Sequence, residues 1–130
     1  MRRVILDSNF LFIPFQFQID VLEELKNLLG KSEPVVLSTT LEELKNLARE
    51  KSEKTRRRAL LALKIAEKCA IVSVEKDPAE TYDDVILRKA KEWTCPVATN
   101  DRNLRKRLRK EAIPTIYVRQ RKKLELEGYI

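Results

Sequence analysis

The most constraining feature of this 130-residue sequence is a repeated alternation between short apolar runs and longer segments with helical periodicity. We predict a strand for each apolar run, over residues 4–6, 35–37, 70–74, 96–99 and 113–118. We predict helices over residues 19–29, 41–50, 53–69, 82–93 and 102–111. The apolar runs do not alternate with polar residues, which is typical of parallel strands covered on both faces. The sequence therefore predicts an α/β fold with a parallel sheet of about five strands, joined by right-handed crossovers.

The domain organisation follows from the absence of internal repeats and of low-complexity linkers. We predict one domain over residues 1–118 and set residues 119–130 apart as a basic, charged C-terminal tail. Cys69 and Cys95 form no CxxC pair and no signal peptide is recognised, so we expect reduced cysteines and a cytoplasmic protein. The longest apolar run is far too short to cross a bilayer, so no membrane partner is expected.

The sequence contains no histidine, and this absence excludes several kinds of active site. It excludes Ser-His-Asp and Cys-His catalysis and every zinc site that needs an imidazole ligand. A bound metal ion must therefore be held mainly by carboxylates, which are ligands that suit Mg²⁺ and Mn²⁺.

The chain is basic, with 27 Lys and Arg residues against 20 Asp and Glu residues and a formal net charge of +7. A basic domain of this size often binds a polyanion, although a basic protein without a nucleic-acid partner has the same composition. The cations cluster at the start of the third helix, along the last helix and in the tail, where the alternative is a solvated surface. The residues that we expect to contact such a polyanion are Arg56, Arg57, Arg102, Arg105, Lys106, Arg109, Arg121 and Lys122.

Four acidic residues from distant parts of the sequence follow predicted strands or open the helices after them. They are Asp7, Glu43, Asp83 and Asp101. Ligands of open parallel sheets bind beyond the carboxyl ends of the strands, so we expect these carboxylates at one edge of the sheet. Converging carboxylates repel one another unless a cation neutralises them. The four residues are therefore candidates for binding one or two Mg²⁺ or Mn²⁺ ions that promote phosphodiester cleavage.

Two of these positions offer adjacent acids, and helical geometry at roughly 100° per residue distinguishes them. Glu43 lies roughly 100° from the centre of the apolar face of its helix, whereas Glu42 lies roughly 160° away. Asp83 lies roughly 60° from the apolar face of the later helix, and Asp84 roughly 160°. Glu43 and Asp83 are therefore expected to border the packed side, while Glu42 and Asp84 point towards solvent.

Each acid also has a purely structural explanation, because acidic residues at helix N-termini cap free N–H groups. Asp7 and Asp101 fit simple N-caps, and Thr40 with Glu43 fits a capping box. Other polar residues near these positions could hydrogen-bond to the acids from outside, although turn and cap chemistry explains them equally well. They are Ser8, Asn9, Ser38, Asp84, Thr99 and Asn100.

Four phenylalanines, at positions 10, 12, 15 and 17, follow the first acid at close spacing. Core packing or a dimer contact is the favoured interpretation of these side chains. Stacking of one ring on a nucleic-acid base is the alternative.

The sequence resembles PIN-domain nucleases over nearly its whole length. The matching stretches are LDSNFL at residues 6–11, LEEL at 41–44, YDDVI at 82–86 and ATND at 98–101. Residues 13–17 and the segment over residues 99–120 are most similar to the archaeal and eukaryotic branch of the family that processes ribosomal RNA. The VapC class of toxins shares the same acids.

This resemblance implies a three-layer α/β/α sandwich and Mg²⁺- or Mn²⁺-dependent endonucleolytic cleavage of RNA. The acids of the family correspond to Asp7, Glu43, Asp83 and Asp101, and none is missing. We therefore expect an endoribonuclease of ribosomal-RNA processing, with a VapC-type toxin or a non-catalytic RNA-binding assembly factor as alternatives. The implied partners are RNA, an antitoxin or a pre-ribosomal particle, and a second copy of the chain.

Overall fold

The computed structural model describes residues 2–129. Its strands are β1 (Arg2–Leu6), β2 (Ser32–Leu37), β3 (Ala70–Val72), β4 (Val97–Ala98), β5 (Thr115–Arg119) and β6 (Lys123–Glu127). Its helices are α1 (Ser8–Leu11), α2 (Ile13–Phe17), α3 (Val21–Leu29), α4 (Ser38–Leu47), α5 (Glu53–Ala66), α6 (Tyr82–Trp93) and α7 (Arg102–Lys110).

The strands form one sheet in the order β3-β2-β1-β4-β5-β6. All neighbouring pairs are parallel except β5 and β6, which run antiparallel. The predicted α/β class with a mainly parallel sheet is therefore confirmed. The chain adds β2 and β3 on one side of β1, and then β4 and β5 on the other. The carboxyl ends of β1 and β4 thus flank a topological switch point, where ligands bind in open α/β sheets.

Helices cover both faces of the sheet, as the non-alternating apolar strands require. Within β1, Val4 and Leu6 belong to one buried cluster, together with residues of α1, α3 and α5. Ile5 belongs to a second buried cluster, on the face covered by α6 and α7. The expected three-layer α/β/α sandwich is therefore present.

The sheet has six strands, one more than the sequence predicted, because part of the segment set apart as a tail forms β6. This strand pairs with β5 along its whole length, from Thr115 opposite Glu127 to Arg119 opposite Lys123. Leu124 is buried and alternates with charged neighbours, so β6 is a half-buried strand at the edge of the sheet. The sequence does not predict this strand because its many charged residues are typical of an exposed tail.

The segment after β1 and the start of α4 also differ from the prediction. Residues 8–17 form two short helices, α1 and α2, instead of a simple turn. Helix α4 begins at Ser38, so Thr40 is helical and cannot be the N-cap of a capping box with Glu43. Leu37 occupies the N-cap position without a side-chain hydrogen bond.

No helix within residues 2–129 is long and apolar enough to span a lipid bilayer.

Candidate active site

The first acid, Asp7, lies at the carboxyl end of β1 and is almost completely buried. It is the N-cap of α1, where its Oδ1 accepts a hydrogen bond of 2.8 Å from the backbone N–H of Ser8. Its Oδ2 accepts a hydrogen bond of 2.7 Å from the hydroxyl of Thr99, which follows β4. The carboxylate is therefore fixed between two neighbouring strand ends.

Thr99 connects this acid to Asp101, because its Oγ1 accepts a 3.0 Å hydrogen bond from the Asp101 backbone N–H. Asp101 is the N-cap of α7, and its Oδ1 accepts a 3.0 Å hydrogen bond from the N–H of Leu104. Cap geometry leaves the second carboxylate oxygen outside the helix. Asp101 therefore serves as the helix N-cap that the sequence allowed, and this role uses only one of its two carboxylate oxygens.

Two asparagines brace the loop that carries Asp101. The Oδ1 of Asn9 accepts a 3.1 Å hydrogen bond from the backbone N–H of Asn100. The Oδ1 of Asn100 accepts a 2.8 Å hydrogen bond from the N–H of Val118 near the end of β5. Both side chains thus hold backbone in place around the acids, as expected for residues that support a site from outside.

Glu43 lies in the second turn of α4 and is half-buried, whereas Glu42 is exposed. Its Oε1 is buried and has no hydrogen-bond partner among the described residues. Burial raises the pKa of Glu43, the nearby Ser8 hydroxyl lowers it in part, and the charge of Asp83 raises it further. A buried carboxylate oxygen without a partner is costly unless a proton or a cation satisfies it.

The two acids of α6 have different environments. Asp84 forms a capping box with Thr81, since its Oδ2 accepts a 2.9 Å hydrogen bond from the Thr81 N–H. Its Oδ1 accepts a 2.7 Å hydrogen bond from the guanidinium of Arg107 in α7. Asp83 makes no such contact within the described residues; burial and then the charge of Asp101 raise its pKa, and the charge of Arg107 lowers it in part. Asp83 therefore faces the other acids, while both oxygens of Asp84 already have partners.

The four acids interact electrostatically as one cluster. Burial raises the pKa of Asp7 to about 7, with further contributions from the charges of Asp83 and Glu43 and an opposing contribution from the Thr99 hydrogen bond. Asp83 is in turn affected by Asp101. The four residues predicted from the sequence are thus brought within electrostatic reach of one another. Desolvated, mutually repelling carboxylates of this kind are best neutralised by a cation.

The donor set fits a hard divalent cation, because the four acids offer carboxylate oxygens, which are the ligands that such cations prefer. Within residues 2–129, no group of three or more His, Cys, Asp or Glu side chains is positioned so that it could hold a metal ion. A Mg²⁺ ion here would therefore depend on one or two carboxylates, with waters and substrate phosphates as its other ligands, which is how proteins usually hold this ion.

Ser38 does not share the role expected for it. Its hydroxyl donates to the Val74 carbonyl at 3.3 Å and accepts from the Val74 N–H at 2.9 Å. This pair of bonds ties the end of β2 to the segment after β3. We find no bond from this hydroxyl to an acid among the described residues.

Several cations that the sequence assigned to RNA have partners within the protein. Arg105 lies over the Tyr117 ring at 3.6 Å and contacts Glu127 at 3.5 Å, while Arg109 pairs with Glu127 at 2.6 Å. Arg56 donates hydrogen bonds to the carbonyls of residues 50 and 51. These three side chains hold α7 against β6 and fix the turn before α5. Glu127, the shared partner of Arg105 and Arg109, was not predicted, although the i,i+4 spacing of these two arginines places both on one face of α7.

The other predicted RNA contacts remain at the surface. Arg57 forms only a long, exposed ion pair of 3.8 Å with Glu53. Arg102, Lys106, Arg121 and Lys122 are exposed and form no ion pair with the rest of residues 2–129. Arg121 lies at the tip of the β5–β6 hairpin with a φ of 59°, in the left-handed region that side chains disfavour.

Comparison with known proteins gives consistent matches. Residues 4–121 match the family described as PIN like domain. The sequence is 33% identical to Ribonuclease VapC4 of Methanocaldococcus jannaschii, with 100% of both chains covered. It is 34% identical to the rRNA-processing protein fcf1 of Schizosaccharomyces pombe, over 92% of this chain and 60% of that protein. The solved structure of the PIN domain endonuclease Utp24 superposes with a TM-score of 0.80 at 30% identity, over 98% of this chain and 92% of that chain.

Proposed function

Because the chain belongs to the PIN-like domain family, we propose that it is a divalent-metal-dependent endoribonuclease. The observation that carries this proposal is the cluster of acids at the sheet edge, in which the carboxylates of Asp7, Glu43 and Asp83 are desolvated and repel one another, and Asp101 acts on Asp83. The names of the relatives supply the reaction class, since they include a ribonuclease and an endonuclease.

Asp7, Glu43, Asp83 and Asp101 are the residues that would hold the ion. When bound, Mg²⁺ or Mn²⁺ would supply Lewis acidity to the phosphodiester and lower the pKa of water. The buried Oε1 of Glu43, which has no partner among the described residues, is an oxygen that a cation would satisfy. Thr99 positions Asp7 and the backbone of Asp101 through one hydroxyl, so it sets the separation of two of the four acids.

The carboxyl groups also have a role in proton transfer. A carboxylate with a raised pKa accepts a proton more readily near neutral pH than an ordinary carboxylate does. Burial raises the pKa of both Asp7 and Glu43. A bound cation lowers the pKa of the carboxylates that coordinate it, so whichever of the two groups does not coordinate the ion would take the proton that water releases when it attacks the phosphorus atom.

The matched pair Glu43→Gln and Glu42→Gln tests this proposal in a cleavage assay with Mn²⁺ and labelled RNA. We expect Glu43→Gln to lower the cleavage rate by about a hundredfold or more, because it removes a carboxylate from the cluster. Glu42→Gln should leave the rate unchanged, since Glu42 is exposed on the same helix. Equal losses in both variants would contradict the proposal. Failure of the unmodified protein to cut any RNA, without a thermal shift on adding metal, would also contradict it.

For the natural substrate, we propose a precursor of ribosomal RNA in a pre-ribosomal particle. The similarity to fcf1 and to the Utp24 structure supports this assignment. The match to Ribonuclease VapC4 over the full length of both chains favours a second candidate, a toxin ribonuclease neutralised by an antitoxin. In either role we propose a cytoplasmic protein, because its two cysteines are buried, free thiols that suit a reducing compartment. A homodimer is proposed on family similarity.

The two candidate roles predict different results in the cell. A toxin should arrest growth when it is expressed alone, and the product of a short reading frame directly upstream should relieve the arrest. A processing enzyme should be tolerated, and its loss should leave an unprocessed ribosomal-RNA precursor. Growth arrest that depends on the intact acids would exclude the processing role as the main one.

A further inference from the structure

A groove of about 400 Å³ lies between α2 and the beginning of α5, away from the four acids. It is lined by Phe15, Glu53, Lys54, Arg57, Arg58 and Leu61. Phe15 is partly exposed and belongs to neither core cluster of the described residues, whereas Phe10 is buried and Phe12 and Phe17 pack against the core. The favoured interpretation of the phenylalanines as core residues therefore does not account for Phe15.

The groove carries positive charge that the protein itself does not neutralise. No ion pair among residues 2–129 uses Lys54 or Arg58, and Arg57 has only its long contact with Glu53. The neighbouring Arg56 is held by two backbone carbonyls at 2.9 and 2.8 Å. Those bonds fix the turn before α5, so the groove has a rigid wall.

Although none of the four acids lines the groove, its elements are connected to those that carry Asp7 and Glu43. Phe15 lies in α2, directly after α1, and Asp7 is the N-cap of α1. Helix α1 packs against both α4, which carries Glu43, and α5, which carries the cations. Helix α1 thus joins the helices on which the groove and the acid Glu43 lie.

We propose that this groove binds one nucleotide of single-stranded RNA, with the base stacked on Phe15 and its phosphate beside Lys54 and Arg58. The inference rests on the proposed ribonuclease function and specifies the form of its substrate. Aromatic rings beside cations are how proteins bind single strands without sequence preference, because every base has a π face. In a duplex the bases are already stacked, so the groove favours unpaired RNA.

The test measures binding of a fluorescein-labelled single-stranded RNA of about twelve nucleotides in EDTA, so that cleavage does not interfere. Phe15→Leu should raise the Kd about tenfold, while Phe15→Tyr, which keeps the ring, should retain it within about twofold. Neither substitution removes a core side chain, so both variants should keep the melting temperature of the parent. Binding of a duplex of the same sequence should not change with Phe15→Leu.

The charge contribution is tested by a double variant, Lys54→Ala with Arg58→Ala. Each phosphate contact on a single strand adds about 0.7 to the slope of log Kd against log salt, so the slope should fall by about 1.4. The control is Lys26→Ala with Lys31→Ala, which removes the same charge near the start of β2, at the opposite edge of the sheet. This control should keep the wild-type slope of log Kd against log salt, apart from a small change caused by the lower net charge of the protein.

Unchanged affinity in Phe15→Leu, or equal slopes in the two double variants, would overturn the inference. If Phe15→Leu binds RNA normally while Glu43→Gln abolishes cleavage, the groove proposal fails and the ribonuclease proposal stands. If the unmodified protein neither binds nor cuts RNA, both fail together. A groove that instead captures an acidic peptide in competition assays, with RNA binding unaffected, would also overturn the inference.

Discussion

Replacing Asp7 by Asn should stabilise the metal-free protein at pH 8, although it removes a carboxylate with two hydrogen bonds. Burial raises the pKa of Asp7 to about 7, whereas an unfolded Asp has a value of 3.8. The folded state therefore keeps the proton at pH values where the unfolded state has lost it. Because the folded state binds more protons in that window, stability falls as the pH rises from about 4 to about 7.

The size of this loss of stability follows from the difference between the folded pKa of about 7 and the unfolded value of 3.8, at about 1.4 kcal/mol for each pH unit. The ionised Asp7 carboxylate thus costs the metal-free fold up to about 4 kcal/mol at pH 8. The Asn side chain has only one oxygen, so it cannot accept hydrogen bonds from both the Ser8 N–H and the Thr99 hydroxyl as the carboxylate does. The lost hydrogen bond costs about 1 to 2 kcal/mol. A net gain of about 2 kcal/mol is therefore expected at pH 8.

The assay is urea denaturation in EDTA at pH 8 and at pH 4, for the wild type and Asp7→Asn. At pH 8 the variant should unfold at a higher urea concentration, by about 1 M for a typical denaturant slope. At pH 4 the wild type carries almost none of this penalty, because the pH is only just above the unfolded value of 3.8, so the variant should be less stable by about 1 kcal/mol. A variant that is equally destabilised at both pH values would refute the reasoning, since it would mean that the carboxylate is not penalised by its surroundings.

Three further predictions concern the surroundings of the acids. Thr99→Val removes the hydroxyl that holds Asp7, so Mg²⁺ affinity measured from the metal dependence of cleavage should fall by about tenfold to a hundredfold; unchanged affinity would show that this bond does not position the site. Asp84→Ala should lower the melting temperature, because it removes a helix cap, while RNA cleavage continues; loss of cleavage with an intact fold would make Asp84 part of the catalytic cluster. Arg105→Gln should cost about 1 kcal/mol in urea denaturation through loss of the contacts with Tyr117 and Glu127, with an unchanged salt dependence of RNA binding; a reduced salt slope would restore this residue to the RNA-binding surface.

The sequence predicted the layers of the fold well because apolar periodicity reports burial directly. Strands such as β1 and β2 are apolar on both faces, and this pattern is typical of parallel strands that are covered on both sides. The prediction missed β6 because Leu124 and Leu126 alternate with charged residues on a strand that is only half covered. It placed the start of α4 too late because Ser38, Thr39 and Thr40 are typical capping residues, and here they are helical.

Part of the site could also be predicted, because neighbouring acids on a helix differ in the face they occupy. The helical angles favoured Glu43 over Glu42, and in the structure Glu43 is half-buried while Glu42 is exposed. Helical angles could not predict which Arg and Lys side chains form ion pairs within the protein. The contact between Arg109 and Glu127 joins residues 18 positions apart, across the junction of α7 and β6. Such pairs depend on tertiary packing, which charge clustering in a sequence does not report.

The central claim is that Asp7, Glu43, Asp83 and Asp101 share a divalent cation, and an Mn²⁺-soaked crystal tests it most directly. Anomalous scattering locates the ion without assumptions about the density. We expect an Mn²⁺ ion bonded directly to Asp7 or Asp101 and to at least one other acid of the cluster, and we expect that Glu42 and Asp84 are not among its ligands. An ion bound elsewhere, or no ion at an Mn²⁺ concentration that supports RNA cleavage, would contradict the account.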